Sequence, residues 1–181
     1  MRRATAFVAL ALLASCSGGN SGNDLGSGVP DRTRTVPADV RDFLARVVEP
    51  AKVPFHATYH LLTKSGGTEH TVDVTSTPPN ITVTIDGKSI DLANQAALSA
   101  YGIFAGFLGA NPKAAIDAAA RRADAGDAAH STRTVAGVKL DCIAVPVQGA
   151  TTTELCITAQ GIAGYVDNAS AQYELTSYAP G

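Results

Sequence analysis

Apolar and polar positions divide the chain into regimes with different periods. Residues 6–14 are apolar without interruption, and residues 17–28 are almost all Gly, Ser and Asn. Further on, Val40, Phe43, Leu44, Val47 and Val48 recur at i, i+3, i+4, i+7 and i+8, the stripe of an amphipathic helix with Pro37 at its start and Pro50 at its end. The period then changes to two. Phe55, Ala57, Tyr59 and Leu61 alternate with His56, Thr58 and His60, which predicts a half-buried strand over 55–62. Residues 68–76 continue the β-branched pattern until Pro78-Pro79, and Ile81, Val83 and Ile85 alternate in the next strand.

Asp86-Gly87 marks a hairpin. Pairing Ile85 with Ile90 and Val83 with Leu92 keeps all four on one face and predicts Gly87-Lys88 as a type II′ turn, since a slip of one residue would set Lys88 against Ile85. Residues 92–124 read as helical. Leu98, Tyr101, Ile103, Phe104, Phe107 and Leu108 make the first part apolar on nearly every side, and glycines interrupt it. Asn111-Pro112 then opens an alanine-rich helix ending near Arg121-Arg122, followed by a polar loop over 124–130. The last third is rich in strands. Centring a hairpin on Gly149 sets Ile143 opposite Leu155, Val145 opposite Thr153 and Cys142 opposite Cys156; turns at Gln160-Gly161 and Asp167-Asn168 lead to a last strand over 173–178. A helix, about four strands, a helical insert and four or five more strands predict an α+β fold: a single curved antiparallel sheet, or half-barrel, with helices packed on its concave side.

The N-terminal regime gives an address. Arg2 and Arg3, a short apolar run and small residues before a cleavage point make a secretory signal. The run is about half the roughly 20 residues of a spanning helix. Leu13-Ala14-Ser15-Cys16 resembles the lipobox of bacterial lipoproteins, which implies cleavage before Cys16 and a diacylglycerol on its sulfur. The expected organisation is a signal peptide over 1–15, a lipidated Cys16 with a flexible tether over 16–36, and one domain over 37–181 on the outer face of the cell membrane. The twin-arginine pair lacks its flanking pattern, so general secretion is the expected route. With Cys16 assigned to the anchor, Cys142 and Cys156 are an even pair outside the cytosol, and their shared register predicts a disulfide on the face away from Ile143, Val145 and Leu155.

Loss of residues 1–15 moves the formal charge from −2 to −4. A mildly acidic domain lacks the clustered Lys and Arg that nucleic acid requires, so no nucleic-acid partner is expected. There is no Gly-x-Ser-x-Gly elbow and no phosphate-binding glycine loop, hence no expected catalytic residue, cofactor or enzymatic activity. His56 and His60 share a strand face, and His70 falls on the neighbouring strand. At roughly 3.3 Å per residue the first two stand about 13 Å apart, too far to hold one ion, so solvated imidazoles are expected and no metal site.

The order of elements resembles the LolA-like lipoprotein carriers, including the LppX and LprG type lipoproteins of mycobacteria. The segments Asp-Cys-Ile-Ala-Val at 141–145 and Glu-Leu-Cys-Ile-Thr-Ala-Gln-Gly-Ile at 154–162 are similar to uncharacterised lipoproteins of high-GC Gram-positive bacteria with a strand cysteine pair. The first resemblance implies a half-open barrel with a lipid-holding cavity. On that reading Leu98, Tyr101, Phe104, Phe107 and Leu108 form a lid, and Phe55, Tyr59, Ile85, Ile143 and Val145 form the opposing wall for a lipid or other hydrophobic small molecule. The alternative is a monomeric envelope module with a filled interior that binds another protein. The anchor has its own test: Cys16→Ser protein should leave the detergent phase in phase partitioning of membranes, and its retention there would contradict lipidation at this residue.

Overall fold

The computed structural model describes residues 35–91, 112–121, 126–146, 149 and 151–181. The signal peptide, Cys16, nearly all of the tether and the proposed lid residues Leu98, Tyr101, Phe104, Phe107 and Leu108 lie outside them. Nine strands form one antiparallel sheet: β1 (Phe55–Thr63), β2 (Thr68–Thr77), β3 (Asn80–Ile85), β4 (Lys88–Ile90), β5 (Ala129–Val135), β6 (Val138–Val145), β7 (Thr153–Ile157), β8 (Ala163–Asp167) and β9 (Ala171–Pro180). Their order, β4-β3-β2-β1-β9-β8-β7-β6-β5, joins two sequential meanders along a single seam between β1 and β9. The sheet is open, with β4 and β5 at its edges. Helix α1 covers Ala38–Ala45 and α2 covers Pro112–Ala120; α2 packs on β6 and β7 and touches α1.

The alternation read from the sequence sorts the two faces. One row of directly paired residues runs His130, Ile143, Leu155, Val166, Tyr173, Leu61 and His70 across the sheet. The row beside it, on the other face, runs Ser131, Cys142, Cys156, Tyr165, Glu174, His60 and Thr71. The first face is the more apolar one, and on β6, β7 and β8 the other is buried as well, through Leu140, Cys142, Cys156 and Tyr165. Val40, Phe43 and Leu44 of α1 and Ile116 of α2 join its residues in one continuous core.

Three expectations change. Helix α1 stops at Ala45, short of Val47 and Val48, because the Val48 amide donates to the Gly161 carbonyl oxygen at 3.0 Å and draws the chain toward the β7–β8 turn. The β3–β4 turn is Asp86-Gly87, both at positive φ (49° and 75°), so Ile85 does pair with Lys88 and Val83 with Ile90. This type I′ turn is held from β2: Asp86 accepts from the Thr71 amide at 2.9 Å, and its own amide donates to the Thr71 carbonyl oxygen. Lys88 carries no burial cost there, since β4 is a three-residue edge strand on which it is exposed. Finally, the polar loop expected up to His130 ends sooner, at Ala128, where β5 begins.

Gly161 illustrates how tightly the turns are fitted to the core. Its φ is +81°, and a Cβ there would overlap the Arg46 carbonyl oxygen and Val48. Gly161→Ala is therefore expected to cost at least about 1–3 kcal/mol from the backbone conformation alone. Chemical denaturation measures this directly; an unchanged midpoint would contradict the packing.

Candidate functional site

The five wall residues do share a face. Phe55 and Tyr59 lie on β1, Ile85 on β3, and Ile143 and Val145 on β6; Ile85, Val72 and Tyr59 are direct neighbours across β3, β2 and β1. Their exposures are 3, 3, 0, 0 and 1 % in that order, so all five are buried. The Tyr59 hydroxyl crosses β9 to donate to the Ala163 carbonyl oxygen at 3.0 Å. These side chains are core, packed with α1, α2 and the β6–β9 strands.

The disulfide forms where the register placed it. Cys142 and Cys156 are bonded, directly opposite on β6 and β7, on the face away from Ile143 and Leu155. In the chain-entropy model, closing a loop across a sequence separation of 14 contributes about 3 kcal/mol. Tyr165 stands beside Cys156, and its ring is covered by Arg133 of β5, whose guanidinium carbon is 3.8 Å from the ring centroid. Arg133 also donates to both carboxylate oxygens of Glu154, at 3.3 and 3.4 Å. Cys142, Glu154 and Cys156 bring their ligand atoms within 4.8 Å of one another, but the two sulfurs are joined to each other and so are not thiolate ligands.

The histidines are dispersed. His56 and His60 lie on the polar face of β1, and His60 is 3.4 Å from Glu69. His70 pairs with Leu61 and so belongs to the opposite face, where its Nδ1 meets Asp86 at 2.7 Å. That hydrogen bond holds the Asp86 carboxyl below its ordinary value.

A cleft absent from the sequence reading opens where α1 begins. It is lined by Pro37, Asp39 and Val40, by Ala120 at the end of α2, and by Gly126, Asp127, Ala128 and Val145; the space is about 230 Å³. Asp39 is held beside it by His130 of β5, Oδ2 to Nε2 at 3.2 Å, and the hydrogen bond lowers the Asp39 pKa. The His130 ring also meets the Phe43 ring edge-on at 6.4 Å. Asp39 and His130 are 91 positions apart, so no local spacing could have joined them. The signal that could have revealed β5 is Val135-Ala136-Gly137-Val138, whose central pair has φ of 49° and 75° and makes a tight hairpin turn.

No helix among the described residues is long and apolar enough to cross a membrane. No family model and no curated protein matches the sequence. Among solved structures the fold is similar to that of MucB, with a TM-score of 0.51 and 16% identity over 80% of this chain and 60% of that one. Two MucB complexes, one with MucA(peri) and one the MucA/MucB complex of Pseudomonas aeruginosa, align with TM-scores of 0.45 and 0.47, both at 16% identity. They cover 79% and 80% of this chain and 56% and 58% of theirs, so the chain spans less than two thirds of the MucB chains it matches.

Burial pushes the phenols of Tyr59 and Tyr173 well above their ordinary value. A raised native pKa contributes its full stability below the unfolded value near pH 10 and loses it as pH rises beyond that point. Denaturation midpoints should therefore be flat from about pH 8 to pH 10 and fall above it, by up to about 1.4 kcal/mol per pH unit for each phenol. Tyr59→Phe should flatten that fall while costing about 1 kcal/mol at neutral pH through the lost bond to Ala163. An undiminished alkaline fall in Tyr59→Phe would contradict the assignment.

Proposed function

We propose that this chain is a lipoprotein anchored through Cys16 to the outer face of the cell membrane, without enzymatic activity, whose folded domain binds another protein. The observation that carries this reading is the filled interior: Phe55, Tyr59, Ile85, Ile143 and Val145 are spent on the core, with α1 and α2 closing over the same face. A carrier of the LolA-like kind needs that face free for an acyl chain, and here it is occupied by the protein's own side chains. Binding then belongs to the surface. The disulfide supports an extracytoplasmic address, since such bonds persist in oxidising compartments. MucB, whose fold is similar in outline, is itself seen in complex with MucA(peri), and protein binding on this fold fits the same reading. Low identity leaves the partner of this chain to be found by its own chemistry.

Native mass spectrometry of residues 16–181 carrying Cys16→Ser tests it. The expected spectrum has one mass, that of the disulfide-bonded chain, and a fluorescent fatty acid should show no saturable uptake. A co-purifying lipid, or stoichiometric uptake, would overturn the filled-interior reading in favour of a ligand held beneath residues 98–108.

A further inference from the structure

The two edges of the sheet are built differently. At one, β4 is three residues long and carries Lys88, two of the devices that keep an edge from recruiting another strand. At the other, β5 runs for seven residues, Ala-His-Ser-Thr-Arg-Thr-Val, and pairs with β6 without a register break. It contains no Pro, no Lys and no bulge, and its one permanent cation is folded back onto Tyr165 and Glu154. Every second residue of such a strand points its N–H and C=O away from the sheet, and among the described residues β5 makes no backbone hydrogen bond outside its ladder with β6.

The cleft lies at the start of this open edge, on the face that carries His130. Its lining includes the apolar residues Val40, Ala120 and Val145, which are 0, 5 and 1 % exposed. Two carboxylates line it, Asp39 and Asp127, and Asp127 has no ion pair among the described residues. A small cleft whose lining mixes apolar residues with two acids suits a long cationic side chain, which lays its methylenes on apolar surface and keeps its charge in water. The net charge of −4 expected for the chain without residues 1–15 favours the same sign of partner.

We propose that β5 and the cleft form one docking site for an extended, basic segment of a partner protein, which adds to the sheet as a tenth strand and lays a Lys or Arg into the cleft against Asp39 and Asp127. Main-chain hydrogen bonds supply the attachment, and the cleft supplies the selection. The inference deepens the protein-binding reading and rests on it.

The test uses residues 16–181 carrying Cys16→Ser and end-blocked eight-residue peptides of alternating Thr and Val with one Lys, or with Glu in its place. By fluorescence anisotropy the Lys peptide should bind roughly tenfold or more tightly than the Glu peptide, and Asp39→Asn with Asp127→Asn should reduce that advantage to about twofold or less. Both substitutions are isosteric and exposed, and an unchanged melting temperature confirms the fold. Residue-resolved hydrogen exchange should slow at alternate β5 amides on adding the Lys peptide and stay constant in β4. Equal affinities for the two peptides, slowing confined to other strands, or no binding at millimolar peptide would each overturn the proposal. So would β5 amides that become protected with protein concentration alone, which would assign the edge to a second copy of this chain. A failed peptide test beside a lipid-free mass refutes this site while leaving protein binding at another surface; a co-purifying lipid refutes the reading beneath it.

Discussion

The pairing of β1 with β9 is the constraint on which the rest of the structure depends. Each meander is assembled from neighbours in sequence, through hairpins that close short loops. The seam is different in kind: Phe55 pairs with Pro180 and Thr63 with Ala171, so the two ends of the domain must meet. The Thr176 hydroxyl donates to the Thr58 carbonyl oxygen 118 positions away, at the bulge where β9 carries an extra residue. Gly181 extends the ladder by donating to the Pro54 carbonyl oxygen at 3.0 Å. Loop-closure entropy rises only slowly with length, by about 0.6 kcal/mol per doubling, so one long seam can be stabilised by the burial it creates. Tyr59, reaching over β9 to Ala163, is part of that burial.

With the seam closed, a single apolar face spans both meanders, and α1 and α2 contribute to the same core. On the proposed reading, function lies at the surface. The side chains that might have lined a cavity are buried in the core. What remains exposed is the polar face of β1, β2 and β3 and the edge at β5; on the second meander that face is buried as well, with Leu140, Cys142, Cys156 and Tyr165 in the core.

Much of this was legible in the sequence where a pattern is local. Alternation located β1, β2 and β3, and centring a hairpin on Gly149 placed Cys142 against Cys156, because a register is set by a turn and a period of two. The same reasoning erred at Asp86-Gly87. It treated the pairing of Lys88 with Ile85 as a buried contact, whereas β4 is an edge on which lysine reaches water. Of the four or five strands expected after the helical insert, β5 had no bounds of its own, because its side chains are mostly exposed and so show no alternation of apolar and polar types. His70 looked like a companion of His60, but the register of β2 turns it to the other face. The cleft was beyond reach altogether, since it is made by α1, α2 and β6, which lie far apart in the sequence.

A platform closed at β1–β9 and left open at β5 has a distinct signature in residue-resolved native hydrogen exchange of the unbound protein. The hydrogen-bonded β1 and β9 amides should exchange last, with the free energy of global unfolding. Those of β5 should alternate, with amides bonded to β6 slow and those between them as fast as unprotected backbone. Seam amides that exchange through a low-energy local opening, or a β5 uniformly protected in the monomer, would contradict it.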